Sequence, residues 1–187
     1  SRLMYASFTP NDPDFTGSTA NSGFQWGQKR IGCESAWDIS RGSTSVQIAV
    51  VDSGVFLAHE ELVNSNVLDP EIDFPGQQLD VRNHDNIVDD TNGHGTFIAG
   101  LISAQTDNAR TIAGVAHNCQ VIPIKIANGG VTADFRMLEG VTLAVDLQAD
   151  IVNLSWGGTS PTPNLENLVN YCKDNGVLFV CAAGNDN

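Results

Sequence analysis

Val50-Val51-Asp52-Ser53-Gly54 and Asn92-Gly93-His94-Gly95-Thr96 carry the residue types that moving a proton to and from a hydroxyl requires. Asp52 directly follows an apolar run, so its carboxylate is expected to be part-buried. A buried carboxylate is costly unless a cation or hydrogen-bond donors compensate it. His94 stands between two glycines with no side chain crowding it, and Thr96 can support the first turn of a helix beginning there. An imidazole so placed can take a proton from a hydroxyl while the carboxylate fixes its tautomer and stabilises the imidazolium. The pair amounts to two of the three members of a nucleophilic triad, in the chain order Asp…His…Ser. His59, His84 and His117 lack comparable flanks and are read as structural. No HExxH occurs, so metal-hydrolase chemistry has no ligand set. The chain closes with Ala182-Ala183-Gly184-Asn185-Asp186-Asn187, and no serine in the context of such a nucleophile precedes it. The third member is therefore expected on a further segment or chain.

Elements must hold these residues in place. From Val46 onward strands alternate with helices, which implies α/β architecture: three layers, with a central parallel sheet flanked by helices. Strands are read at 46–51, 121–126, Ile151–Leu154 and 177–181, with Pro123 needing a position that tolerates a missing donor. Leu138, Val141, Thr142 and Val145 repeat at helical spacing, with Thr132 placed as N-cap. Leu165, Leu168, Val169 and Cys172 do the same, with Thr162 as cap, Pro163 as first helical residue and Gly176 as the stop. A third helix should open at His94 or Gly95 and bury Phe97, Ile98 and Leu101. The polar stretch 64–92 reads as loop. Residues 1–45 read as an arm with a first helix, and 46–187 as the body of the domain. In parallel α/β sheets ligands sit beyond the carboxyl ends of the strands. Asp52, Gly129-Gly130, Ser155-Trp156-Gly157-Gly158 and Ala183-Gly184-Asn185 all fall just after strand ends, so they are expected at one edge.

Composition narrows the classes. The 187 residues are 41% hydrophobic and 7% aromatic, ordinary for one globular domain. Twenty-two acids against nine bases give a net charge of −13, which argues against nucleic-acid partners, whose phosphates call for a basic footprint. No apolar run reaches the roughly 18 residues of a membrane span, so no membrane partner is expected, and no targeting segment is evident. Cys33, Cys119, Cys172 and Cys181 show no CxxC spacing. Cys172 and Cys181 are read as small buried hydrophobes, while Cys33 and Cys119 could form a disulfide in a secreted protein.

Taken together, Val51-Asp52-Ser53-Gly54, Gly93-His94-Gly95-Thr96, Ser155-Trp156-Gly157-Gly158 and Ala182-Ala183-Gly184-Asn185 resemble the motifs of the subtilisin-like serine proteases. Thr9-Pro10-Asn11-Asp12-Pro13, Gln25-Trp26-Gly27 and Ala36-Trp37-Asp38 make the arm look closest to the thermitase-type branch. The resemblance runs from Asn11 to Asn185 and implies a subtilisin-like fold that this chain leaves incomplete at its C-terminal side. It also implies that Asp52 orients, that His94 acts as general base and acid, and that Asn185 supplies the oxyanion-hole amide. Ser155-Trp156-Gly157-Gly158 would pair with substrate backbone and line the specificity pocket, with Gly129-Gly130 as the facing strand. Ser155 itself lacks the strained turn of a nucleophile. Calcium is the implied cofactor, held by Asp12, Glu61 and Asn108 with carbonyls of Gln105, Arg110 and Ile112. Glu61 stands where the family usually carries Asp. Asp69, Asp73, Asp85, Asp89 and Asp90 are read as solvated loop acids before a second cation site.

The expectation that follows is a secreted, extracellular serine endopeptidase. It would cleave polypeptides through an acyl-enzyme, its serine supplied by a C-terminal segment or chain outside this one. The alternative is a fragment or pseudo-protease that binds peptides in the retained cleft. Because strands and a helix would be missing, the strand holding Phe179 and Val180 is expected to expose apolar surface.

Overall fold

The computed structural model describes residues 7–156 and 163–184. Four strands form one parallel sheet in the order β2-β1-β3-β4: β1 (Gln47–Asp52), β2 (Gln120–Lys125), β3 (Ile151–Leu154) and β4 (Leu178–Cys181). β-Branched residues fill β1 and β2, and their alternation serves two cores, one on each face. Ala49 and Val51 of β1 join Ile122 and Ile124 of β2 on one side, under the helices α6 (Asp134–Asp146) and α7 (Pro163–Asp174). Val50 and Val121 face the other way, onto α5 (His94–Ser103). Three layers result, as the alternation predicts.

α5 corrects the sequence reading in detail. Its buried residues are Gly95, Ala99, Gly100 and Ser103, while Phe97 is 60% exposed and Ile98 and Leu101 are half-buried. Hydrophobicity selected the bulky residues, but the helix meets the end of β1 at Gly95, where a methyl would lie 2.2 Å from Gly54 O. α6 uses the same device at Gly140, where a methyl would meet Val51 and Ile126. Its buried face is Met137, Gly140, Val141, Ala144 and Val145, with Leu138 and Thr142 only partly covered. Thr132 is not the cap: its hydroxyl donates to the Ile126 carbonyl at 2.6 Å, and Ala133 holds the N-cap position. α7 starts at Pro163, with the expected cap Thr162 outside the described residues. It stops where expected: Gly176, at φ 75°, allows its own N–H to reach Lys173 O and that of Val177 to reach Cys172 O.

Pro123 sits opposite Val50 in the β1–β2 ladder yet breaks no bond of it. Its same-parity neighbours Val121 and Lys125 turn their backbone groups outward, to Asn66 and Leu68 and to Leu79 and Val81. The missing N–H of Pro123 therefore also points outward, between two anchorages of the 64–92 loop. That loop contains a short helix, α4 (Pro70–Asp73), which Asp69 caps by accepting from Glu71 N at 2.9 Å.

The arm folds as three short helices rather than one: α1 (Pro13–Thr16), α2 (Trp26–Arg30) and α3 (Cys33–Trp37). Phe15, Cys33, Trp37 and Ala113 form their own core, and buried Gln25 pins the arm by exchanging two 2.8 Å bonds with the backbone of Ala113. All four cysteines are free thiols, so no Cys33–Cys119 disulfide exists here. Each of that pair is buried, Cys33 within the arm core and Cys119 against Gly42. Cys172 is buried as expected. Cys181 is exposed instead, because β4 is an edge strand whose residues Leu178 and Val180 are also uncovered.

Candidate active site

Asp52 ends β1 and is fully buried, while His94 opens α5 above it with its side chain 44% exposed. The two meet through His94 Nδ1 and Asp52 Oδ1 at 2.8 Å. Held on the carboxylate, the Nδ1–H leaves Nε2 with a lone pair facing solvent, the arrangement a proton acceptor needs. Asp52 Oδ1 also accepts from Ser53 N at 2.7 Å, whereas Oδ2 is buried without a partner among the described residues. A buried anion served by so few donors retains a strong field for an imidazolium to neutralise.

His94, Asn92, Gly129, Gly130, Ser155 and Trp156 line one cavity of about 180 Å³. The structure thus brings together the histidine and the segments that follow β2 and β3, beyond the carboxyl ends of the strands. Ser155 Oγ accepts from Asn153 Nδ2 at 2.9 Å and sits on the cavity wall, and the buried indole N–H of Trp156 has no partner among the described residues. Gly157, Gly158 and Asn185 lie outside the described residues.

Asp12 and Glu61, both buried, occupy a second place, at the arm. Asp12 Oδ2 accepts from Asp107 N at 2.8 Å, and Glu61 accepts from Thr111 Oγ1 at 2.5 Å and Asn108 Nδ2 at 3.0 Å. Burial holds the Asp12 carboxyl above its usual range, and the charge of Glu61 adds to that. Among the described residues no cationic side chain answers them: the Arg110 guanidinium turns out to Glu60, at 3.5 Å. Two buried carboxylates without a counter-charge form a donor set that suits a hard cation. Gln105 and Arg110 join the loop there, as does Ile112, whose N–H reaches Glu61 Oε1 at 3.4 Å.

The five loop acids do not converge. Asp69 caps α4, Asp73 accepts from Asp69 N, Asp85 accepts from Ile87 N, and the Asp89 side chain is exposed. Asp90 is no solvated acid. It accepts from Ser53 Oγ, Asn92 N and Gly93 N through Oδ1, and from Thr96 N and Thr96 Oγ1 through Oδ2. Burial alone would raise its carboxyl, but the bonds from Thr96, Gly93 and Asn92 hold it below the usual value. Sequence reasoning missed both Asp90 and Ser53. The available signal was an Asp two and three residues before free amides at a helix start, where such a carboxylate accepts them.

The layered sheet and the Asp–His pair at its edge define the class, a serine-peptidase scaffold of the α/β kind. A model of the Subtilase family matches residues 43–187. The chain is 35% identical over 186 residues to a thermophilic serine proteinase of Bacillus sp. strain AK1, covering 98% of this chain and 42% of that protein. It is 35% identical over 179 residues to thermitase of Thermoactinomyces vulgaris, covering 95% and 58% respectively. A solved protease structure from Pseudoalteromonas arctica superposes with a TM-score of 0.76 at 26% identity, over 96% of this chain and 60% of that one. The chain belongs to the Subtilase family. It spans about half the length of the curated relatives it matches.

Proposed function

We propose that the protein is a serine endopeptidase in which His94 acts as general base and acid and Asp52 orients it. The nucleophilic serine comes from a segment outside these residues, and Asn185 provides the oxyanion donor. The observation that carries this reading is the 2.8 Å His94–Asp52 bond, with the free Nε2 side of the ring opening on a cleft lined by Gly129, Gly130, Ser155 and Trp156. Two backbone-rich walls suit an extended peptide, which can pair as an added strand, with Gly157 and Gly158 proposed to bind substrate alongside Ser155 and Trp156. Acylation would then pass the serine proton to Nε2 and onward to the leaving amine.

Calcium belongs to the same proposal, held by Asp12, Glu61 and Asn108 with carbonyls of Gln105, Arg110 and Ile112. Its contribution would be to neutralise the buried carboxylates and fasten the arm, not to enter the reaction. Action outside the cell is carried as an expectation. Relatives named for both compartments exist, a major intracellular serine protease of Bacillus subtilis and a minor extracellular protease of the same organism.

The test is a fluorophosphonate probe on the protein isolated from its source, read by intact mass under denaturing conditions and by peptide mapping. A single adduct on a serine of an accompanying segment, together with peptide hydrolysis, is the expected outcome. No adduct and no hydrolysis, with peptides still bound in the cleft, would leave a non-catalytic peptide-binding protein in its place.

A further inference from the structure

Three contacts radiate from one residue, two of them from its hydroxyl. Ser53 Oγ accepts from Gly95 N at 3.0 Å and donates to Asp90 Oδ1 at 3.0 Å, while Ser53 N donates to Asp52 Oδ1 at 2.7 Å. Ser53 is the residue after Asp52, and Gly95 is the residue after His94. The peptide units that carry both members of the Asp–His pair are therefore joined through a single Oγ, and that Oγ is held by Asp90. The other bonds of Asp90 fasten the segment leading into α5 at Asn92 and Gly93, and its first turn at Thr96, whose N–H and Oγ1–H lie 3.0 Å and 2.6 Å from Oδ2. Thr96 Oγ1 in turn accepts from Phe56 N at 3.0 Å, beyond Gly54 on the same turn as Asp52.

The loop bearing Asp90 is fixed from the opposite side as well. Val55 N donates to Val88 O at 2.8 Å, and buried Lys125 donates from Nζ to Asp89 O. A carboxylate with every lone-pair direction engaged between two anchored segments has little freedom to move. Asp90 touches neither the imidazole of His94 nor the carboxylate of Asp52. Its bonds reach only their neighbours.

We propose that Asp90, acting through Ser53, is a positioning residue that sets the His94–Asp52 separation. This deepens the proposed peptidase reading and, for its catalytic consequence, rests on it. Removing the carboxylate frees the start of α5 from the end of β1, so the 2.8 Å bond lengthens and the imidazole samples other orientations. Misplacement of a reacting group by about 1 Å costs on the order of 100-fold in rate.

The test has a spectroscopic arm and a kinetic arm. The spectroscopic arm follows the downfield proton resonance of His94 Nδ1–H in this chain, with Asp52→Ala as the variant that must abolish it. Asp90→Ala, Asp90→Asn and Ser53→Ala are expected to move that resonance upfield or broaden it, while Asp89→Asn, which removes an exposed neighbouring charge, leaves it in place. In the active protein, the same three variants should lower kcat about 10- to 100-fold with KM changed less than twofold. Asp90→Glu should recover less than half of the loss, because its longer stem cannot serve Ser53 and Thr96 together. An unchanged resonance in Asp90→Asn and Ser53→Ala, in folded protein, overturns the proposal whatever the activity. A shifted resonance without hydrolytic activity in the parent would instead overturn the peptidase reading and leave the positioning role standing. Should Asp90→Ala fail to fold, Ser53→Ala decides, since it cuts the relay and spares the anchorage at Thr96.

Discussion

Replacing Gly95 with Ala should pull the Asp–His pair apart at its seam. A methyl built on Gly95 lies 2.2 Å from Gly54 O and 3.1 Å and 3.2 Å from Asp52 Cβ and Oδ1. Carbon and oxygen settle at about 3.3 Å, so the start of α5 must retreat by roughly 1 Å from the end of β1. That displacement takes the 2.8 Å His94–Asp52 contact and the 3.0 Å Gly95–Ser53 contact past the distance at which a hydrogen bond survives. Overpacking of this kind costs about 1–3 kcal/mol, and weakening a charge-assisted bond adds about 1.5–3 kcal/mol if it is lost outright. Taking about 3 kcal/mol as the sum, a domain of this size should melt about 6–12 °C lower. Gly27→Ala is the matched control. Nothing lies within 4 Å of a methyl there, Gly27 is in α2, and the substitution should leave stability unchanged or raise it by about 0.4–1 kcal/mol. Circular-dichroism melts of the three proteins give the answer. A Gly95→Ala protein melting within 2 °C of the parent would mean that the helix has slack the contact distances deny, and the steric argument would fail.

Three further outcomes are expected. Cys181 alone should react with iodoacetamide in the native state, giving one adduct by intact mass, since the other three thiols are buried; burial also pushes Cys33 and Cys172 up. Two or more native adducts would contradict the packing. Calcium titrated to about 100 times its dissociation constant should stabilise the fold by about 2.7 kcal/mol, and Glu61→Gln should abolish that gain. A melting temperature indifferent to calcium in the parent would remove the proposed site. Burial, together with Arg41, holds the His117 imidazole below its ordinary 6.5, so the unfolded chain binds a proton there before the native one does. Its contribution to stability is complete above pH 6.5 and declines as pH falls toward the lower native value. Urea midpoints measured between pH 7 and pH 5 should decline in the parent and flatten in His117→Gln, and parallel curves would rule His117 out as the cause.

Asp52 and His94 were legible because their flanks announce them: an apolar run that ends in an acid, and a histidine freed by glycines on both sides. The strands at Ile151–Leu154 and along 46–51 were legible for a related reason, since buried parallel strands are continuous apolar runs. Phe97 misled because helical periodicity weighs hydrophobicity, whereas α5 meets the end of β1 at Gly95, where no side chain fits, and buries Ala99, Gly100 and Ser103 instead. Thr132 misled because a hydroxyl two residues before a helix can serve another backbone, here that of Ile126. Asp90 was hidden among acids of identical composition. What separates it from Asp89 is the set of amides facing it, which only the folded loop creates.

Pro123 gives the sheet a direction of growth. Along the outer margin of β2 a residue without a donor is framed by chain already bonded to Val121 and Lys125. A foreign strand arriving there meets a rail that is both incomplete and occupied. Among the described residues the margin of β4 carries no such stop, and Leu178, Val180 and Cys181 are exposed there. Among the described residues one margin of the sheet is closed to strand addition and the other is open, so a strand from any source, whether the same polypeptide, a second copy or an unfolded neighbour, is expected to join at β4. These three exposed residues thus mark the margin at which the sheet can lengthen, and a Lys in place of Val180 would oppose pairing there.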